Sequence, residues 1–105
     1  MARVYSTRFI SEPGVTAFAD YTVPAGFRAV LRDVWVYAGS QITTVDFQLF
    51  SGTGAVMWSI GNPPLNPAFW FWQGRQVYEE GEAIGFQVHS GNVDYSASGY
   101  LLDLP

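Results

Sequence analysis

Apolar and polar residues alternate one by one through much of this chain, and a cluster containing Gly or Pro breaks the alternation roughly every ten residues. Alternation of this kind places residues i, i+2 and i+4 on one face of an extended strand. No window keeps apolar residues at i, i+3, i+4 and i+7 over three turns, as an amphipathic helix would require. Val, Thr, Tyr, Phe and Trp dominate the alternating segments. The pattern predicts an all-β domain.

Arg3–Ser11 reads as a first strand closed by Glu12-Pro13-Gly14, and Val15–Val23 as a second. Pro24-Ala25-Gly26 supplies a turn, Pro fixing φ and Gly allowing a positive value. Phe27–Ala38 is the longest strand candidate. Both of its phases become apolar after Arg32-Asp33, so a bulge there, or cover on both faces, is expected. Gly39–Ile42 reads as a loop, and Thr43–Phe50 as a strand with Val45, Phe47 and Leu49 inward and Asp46 and Gln48 outward. Ser51-Gly52-Thr53-Gly54 then turns the chain into Ala55–Ile60.

Gly61–Pro67, GNPPLNP, is a loop, because its prolines cannot donate to a strand ladder. It leads into Phe69–Val88, FWFWQGRQVYEEGEAIGFQV. This stretch reads as a hairpin of Phe69–Tyr78 and Ala83–His89 around the acidic turn Glu79-Glu80-Gly81-Glu82. Ser90-Gly91-Asn92 is a second hairpin-type turn. Val93–Leu104 closes the chain, with Gly99 as a bulge or a point of close approach. Eight strands in 105 residues imply one domain, 1–105, built as a two-sheet β-sandwich. The jelly roll is the expected version, and an immunoglobulin-like sandwich without its Cys pair is the alternative.

Only 13% of the residues are charged, against about 25% in a typical soluble domain. The five cations are all Arg (Arg3, Arg8, Arg28, Arg32, Arg75), and aromatics reach 17%. Arg and aromatic residues are favoured at interfaces and Lys is depleted there. A chain of this composition suits a subunit whose surface is partly covered by partners. The net charge of −4, without a basic run, argues against nucleic acid as a partner. No apolar run approaches the ~20 residues of a membrane-spanning helix, and MARVYSTRFISEPG lacks the apolar core of a signal peptide. Synthesis in the cytoplasm and no membrane partner are therefore expected. Without Cys, disulfides and thiolate metal sites are excluded.

Phe69 and Phe71 fall on one face of their strand, and Trp70 and Trp72 on the other. A strand with bulky aromatics on both faces needs two things to pack against, of which the domain core is one. The second cover is a neighbouring subunit or another protein, with Phe69, Trp70, Phe71, Trp72 and Arg75 as the contact candidates. Alternatively Trp70 or Trp72 is an exposed platform for a sugar ring, or the proline loop folds back over the second face.

Several stretches resemble small tailed-bacteriophage virion proteins of β-sandwich type, found among minor tail, tail-tip and head-decoration components. They are Tyr21-Thr22-Val23-Pro24-Ala25-Gly26-Phe27-Arg28, Arg32-Asp33-Val34, Trp72-Gln73-Gly74-Arg75-Gln76-Val77, Gly81-Glu82 and the ending Ser98-Gly99-Tyr100-Leu101-Leu102-Asp103-Leu104-Pro105. The resemblance implies a structural or adhesive role in a virion, as a homo-oligomer (a trimer by preference) joined to other virion proteins. A host-surface glycan is the alternative partner. No catalytic residue is carried over.

The remaining chemistry is thin. His89 is the only histidine, which leaves a nucleophilic triad or a cupin-like metal site without partners. It occupies the strand phase opposite Ile84, Phe86 and Val88 and is expected to point outward. Glu79, Glu80 and Glu82 read as a solvated turn rather than as an acid–base pair. Asp20, Asp46 and Asp94 are too scattered to promise the oxygen cage that calcium needs. Ser51-Gly52-Thr53-Gly54 lacks the Lys and following helix of a phosphate loop. No cofactor, no metal and no enzymatic activity are expected.

Overall fold

The computed structural model describes residues 4–15, 18–38, 46–61, 68–90 and 93–104. They form eight strands: β1 Val4–Val15, β2 Phe18–Thr22, β3 Phe27–Ala38, β4 Asp46–Phe50, β5 Val56–Gly61, β6 Ala68–Tyr78, β7 Ala83–Ser90 and β8 Val93–Asp103. Two four-stranded antiparallel sheets, ordered β1-β8-β3-β6 and β2-β7-β4-β5, face each other across one core. The chain is therefore an all-β, eight-stranded, two-sheet sandwich. Its pairs β1·β8, β2·β7, β3·β6 and β4·β5 are nested one inside another, as if a long two-stranded ribbon had been rolled up. An immunoglobulin-like order would set the first strand beside the second. Here β1 pairs with β8 instead.

The nesting corrects two expectations. β6 and β7 are not a hairpin: β6 pairs with β3, and β7 with β2 and β4. The acidic turn thus carries the chain from one sheet to the other. The same holds for β7 and β8, so Ser90-Gly91-Asn92 does not close a hairpin, although residues 91–92 lie outside the described ones. Connection length alone does not tell an in-sheet turn from a crossing between sheets. Only β4 and β5 are both consecutive and paired.

Glu12-Pro13-Gly14 is the third correction. The strand runs through it to Val15, and the extra residue is absorbed as a register shift between Glu12 and Val15. An edge strand can do this, because a Pro there need not donate to a neighbour. Of the loop expected at 61–67, Gly61 instead ends β5, paired with Asp46; residues 62–67, the loop expected at 39–42 and the start of the 43–50 strand lie outside the described residues.

The inner faces follow the predicted alternation. Phe47 and Leu49 of β4 and Ile84, Phe86 and Val88 of β7 meet Leu31, Val34 and Val36 of β3 and Tyr95 and Ala97 of β8. Phe47, Phe86 and Tyr95 make a three-ring centre, with centroids 5.1–5.7 Å apart. Phe9 of β1 reaches Tyr21 of β2 at 4.9 Å and closes one side. Each fully buried side chain of this kind stabilises the fold by about 1.5–3 kcal/mol.

One end of the sandwich is tied by its turns. Val23 N–H donates to the Glu82 carbonyl at 2.9 Å and Gly81 N–H to the Val23 carbonyl at 3.0 Å, joining the β2–β3 and β6–β7 connections. Gly26 (φ 85°) and Gly81 (φ 83°) take the left-handed conformations that these turns require.

Candidate functional site

Strand β6 settles which aromatic face is core. Trp70 and Trp72 are half-buried and pack against the buried cluster, whereas Phe69 is 51% and Phe71 66% exposed. The Trp72 indole passes over Gly74, where an added Cβ would lie 3.2 Å from its ring. The two Trp rings thus pack against the sandwich on one side, and the exposed rings of this strand are Phe69 and Phe71. Arg75 is exposed on the same strand.

Outside the sheet, Phe69 lies between three other rings. It stacks on Trp35 with centroids 5.8 Å apart, meets Tyr37 at 5.8 Å and Phe71 at 4.8 Å. The pairing of Tyr37 with Phe69 and of Trp35 with Phe71 across β3·β6 produces this strip. Because β6 ends its sheet, the strip runs to an open edge of eleven residues. Long apolar edges of this sort invite another chain unless they are blunted; β6 carries neither Lys nor Pro, and its Arg75 and the bulge between Gln73 and Gln76 lie beyond the aromatic strip.

Further along the same outer face, two bulges meet. β1 pairs Arg8 with Ser98 and Ile10 with Ala97, leaving Phe9 as the extra residue. β3 pairs Leu31 with Gly99 and Asp33 with Ser98, leaving Arg32 as the extra residue. The bulge expected at Arg32-Asp33 is present, with Leu31 and Val34 buried on either side of it. A bulge bends its strand and re-aims side chains, and here Arg32 and Asp33 open onto the same outer cleft. That cleft, of about 540 Å3, is lined by Ser6, Arg8, Arg32, Asp33, Ser98 and Tyr100. Its floor is Gly99, where a Cβ would collide with the Val30 carbonyl oxygen, so this is the predicted point of close approach.

A smaller cleft of about 400 Å3 lies on the opposite sheet. Gly85 forms its floor between Asp20 and Phe50, with Gln87 alongside.

The acidic turn is structural in detail. Glu80 Oε2 accepts from Gly26 N–H at 2.8 Å, Glu79 Oε2 from Arg28 Nε at 3.0 Å, and Glu82 Oε1 from Glu79 N–H at 2.8 Å. Two of the carboxylates thus bind turn backbone and the third an Arg on β3, rather than simply facing water. Beneath them, Tyr78 donates its hydroxyl hydrogen to the Phe50 carbonyl at 2.7 Å. Burial first, and the charge of Glu82 second, push this hydroxyl's pKa well above the ordinary phenol value.

Among the described residues no three His, Cys, Asp or Glu side chains gather as a metal would need. The imidazole of His89 lies outside the described residues. Sequence reasoning singled out β6 but passed over Arg8, Ser98 and Tyr100, which come together only through the pairing of β1 and β8. The one available signal was the pair Arg32-Asp33 at the break in alternation. Comparison of the chain with protein-family models, with curated proteins and with solved structures finds no match.

Proposed function

We propose that the chain is a non-enzymatic structural subunit of a tailed-bacteriophage virion, acting as a homo-oligomer, with a trimer favoured by the resemblance. In this reading the nested strand order is that of a jelly roll, and the subunit decorates a capsid or forms part of a tail tip. The observation that carries the oligomer is the aromatic strip Trp35, Tyr37, Phe69 and Phe71 at the open edge of β6. Burying one Phe side chain at a subunit contact is worth about 1.5–3 kcal/mol, and Trp and Tyr are favoured anchors. The scarcity of charge and the absence of Lys support the same reading. The alternative reading, a carbohydrate-binding module, would use what remains exposed of Trp70 and Trp72, both of which also pack against the core.

Multi-angle light scattering of the wild type and of a Phe69→Ser/Phe71→Ser variant tests the oligomer. The expected result is an oligomer that falls to monomer in the variant with its thermal midpoint nearly unchanged, because both side chains are exposed. A wild-type monomer at micromolar concentration would overturn it. Mass spectrometry of purified phage particles tests the virion assignment through the protein's presence and copy number.

A further inference from the structure

We propose that the double-bulge cleft on the β1-β8-β3 surface is an anion-binding site, in which Arg8 and Arg32 hold the carboxylate or phosphate group of a small ligand. The inference does not rest on the oligomer reading.

The cleft lining holds two arginines and one carboxylate, Asp33. Neither arginine is in an ion pair among the described residues, whereas Arg28 on the same sheet is paired with Glu79. Arg32 is half-buried, and its Nε is a buried atom with no hydrogen-bond partner among the described residues. A guanidinium only donates, and the enclosed Nε has no acceptor among those residues, so Arg32 meets an oxyanion in the cleft through the rest of its fork. Buried donors left without an acceptor are costly and uncommon in native proteins. Ser6, Ser98 and Tyr100 add hydroxyls around the same opening, each able to donate to an oxyanion.

The backbone supports the same chemistry. Bulges on both neighbours of β8, at Phe9 and at Arg32, fall at one level of the sheet, over Ser98 and Gly99. They draw Arg32 and Asp33 to the surface as consecutive residues. The Arg fork suits planar oxyanions, which it can bind through two parallel hydrogen bonds. With two positive charges against one negative, the lining favours a singly charged carboxylate over a phosphate dianion. The other cleft, with Asp20 on its rim and no cation in its lining, has the wrong sign for such a ligand.

The test is a heteronuclear NMR titration of the full chain with glucuronate, glucose 6-phosphate and, as neutral control, glucose, repeated with Arg8→Gln and Arg32→Gln. Saturable shifts of the Ser98 and Gly99 amides with either anionic probe, but not with glucose, are expected, and the tighter probe names the source of the oxyanion. Each variant should weaken binding roughly tenfold or more, as loss of a charged hydrogen bond implies. Dispersed spectra of the variants show that they remain folded. Should Arg32→Gln lose its fold, Arg8→Gln decides alone, since Arg8 is exposed. Shifts that fail to saturate, that glucose reproduces, or that survive the Arg8→Gln change overturn the proposal.

Discussion

The two sheets treat their inner faces alike and their outer faces differently. All four described arginines, Arg8, Arg28, Arg32 and Arg75, sit on strands of the β1-β8-β3-β6 sheet, together with the exposed strip of Phe69 and Phe71. The strands of the other sheet carry Asp20 and Asp46 and no Arg or Lys. A core-facing strand needs only volume and apolarity, so Phe47, Ile84 and Val34 answer the same demand on either side. The outward residues are free to differ, and that is where contact and recognition can be written. One outer face combines rings with guanidinium groups, the composition of an interface centre. Among the described residues the other carries Asp20, Asp46, Gln87 and Gly85 beside Phe50, a composition compatible with water.

The sharpest way to break this contrast is at the floors of the two clefts. A Cβ at Gly99 would collide with the backbone carbonyl of Val30, which cannot turn aside. Gly99→Ala should therefore destabilise the domain by about 3 kcal/mol or more, measured by denaturant unfolding. At Gly85 the same Cβ meets Asp20 Oδ1 at 3.1 Å, the end of a side chain that can rotate away. Gly85→Ala should cost less than about 1 kcal/mol, since Ala also removes the entropy penalty of Gly in a strand. Equal losses at the two positions would mean that the β8–β3 approach is looser than the structure has it.

Between these extremes lies Tyr78, a core side chain that ties the sheets through a polar atom. Tyr78→Phe removes its bond to the Phe50 carbonyl and should cost about 1–2 kcal/mol. The sign of its pH dependence follows from the raised pKa. The folded state holds the proton more tightly, so this contribution is complete below the unfolded phenol value of about 10 and is lost as pH rises above it. Alkaline unfolding should be shallower in Tyr78→Phe than in the wild type when followed by far-UV circular dichroism.

Much of the fold was legible because alternation reports burial directly. Phe47, Leu49, Ile84, Phe86 and Val88 are inward as their phase implies, and the bulge at Arg32-Asp33 is marked by two phases turning apolar together. Strand β6 resisted the same treatment. With Phe on one phase and Trp on the other, composition gives no preference between faces. Shape decides: the larger indoles fill the core side, and Trp72 has Gly74 to lie over. Glu12-Pro13-Gly14 misled because the residues that make a turn also make a bulge on an edge strand. The arginine cleft was illegible for a different reason. Arg8 and Tyr100 are ninety-two positions apart and are brought together by a β1·β8 register that no local pattern encodes.

The nested pairing also sets how far apart in the chain each pair of partners lies. Among the described strands, only β4 and β5 find their partner within a few residues, and each further pair encloses them at greater separation: β3 with β6, β2 with β7, and β1 with β8. Non-local pairing of this kind makes folding slow, because chain entropy is lost before contacts repay it. During synthesis Val4–Val15 must wait, unpaired, until Val93–Asp103 has left the ribosome. The arginine cleft, which spans these two strands and β3, is accordingly among the last parts of the molecule to exist.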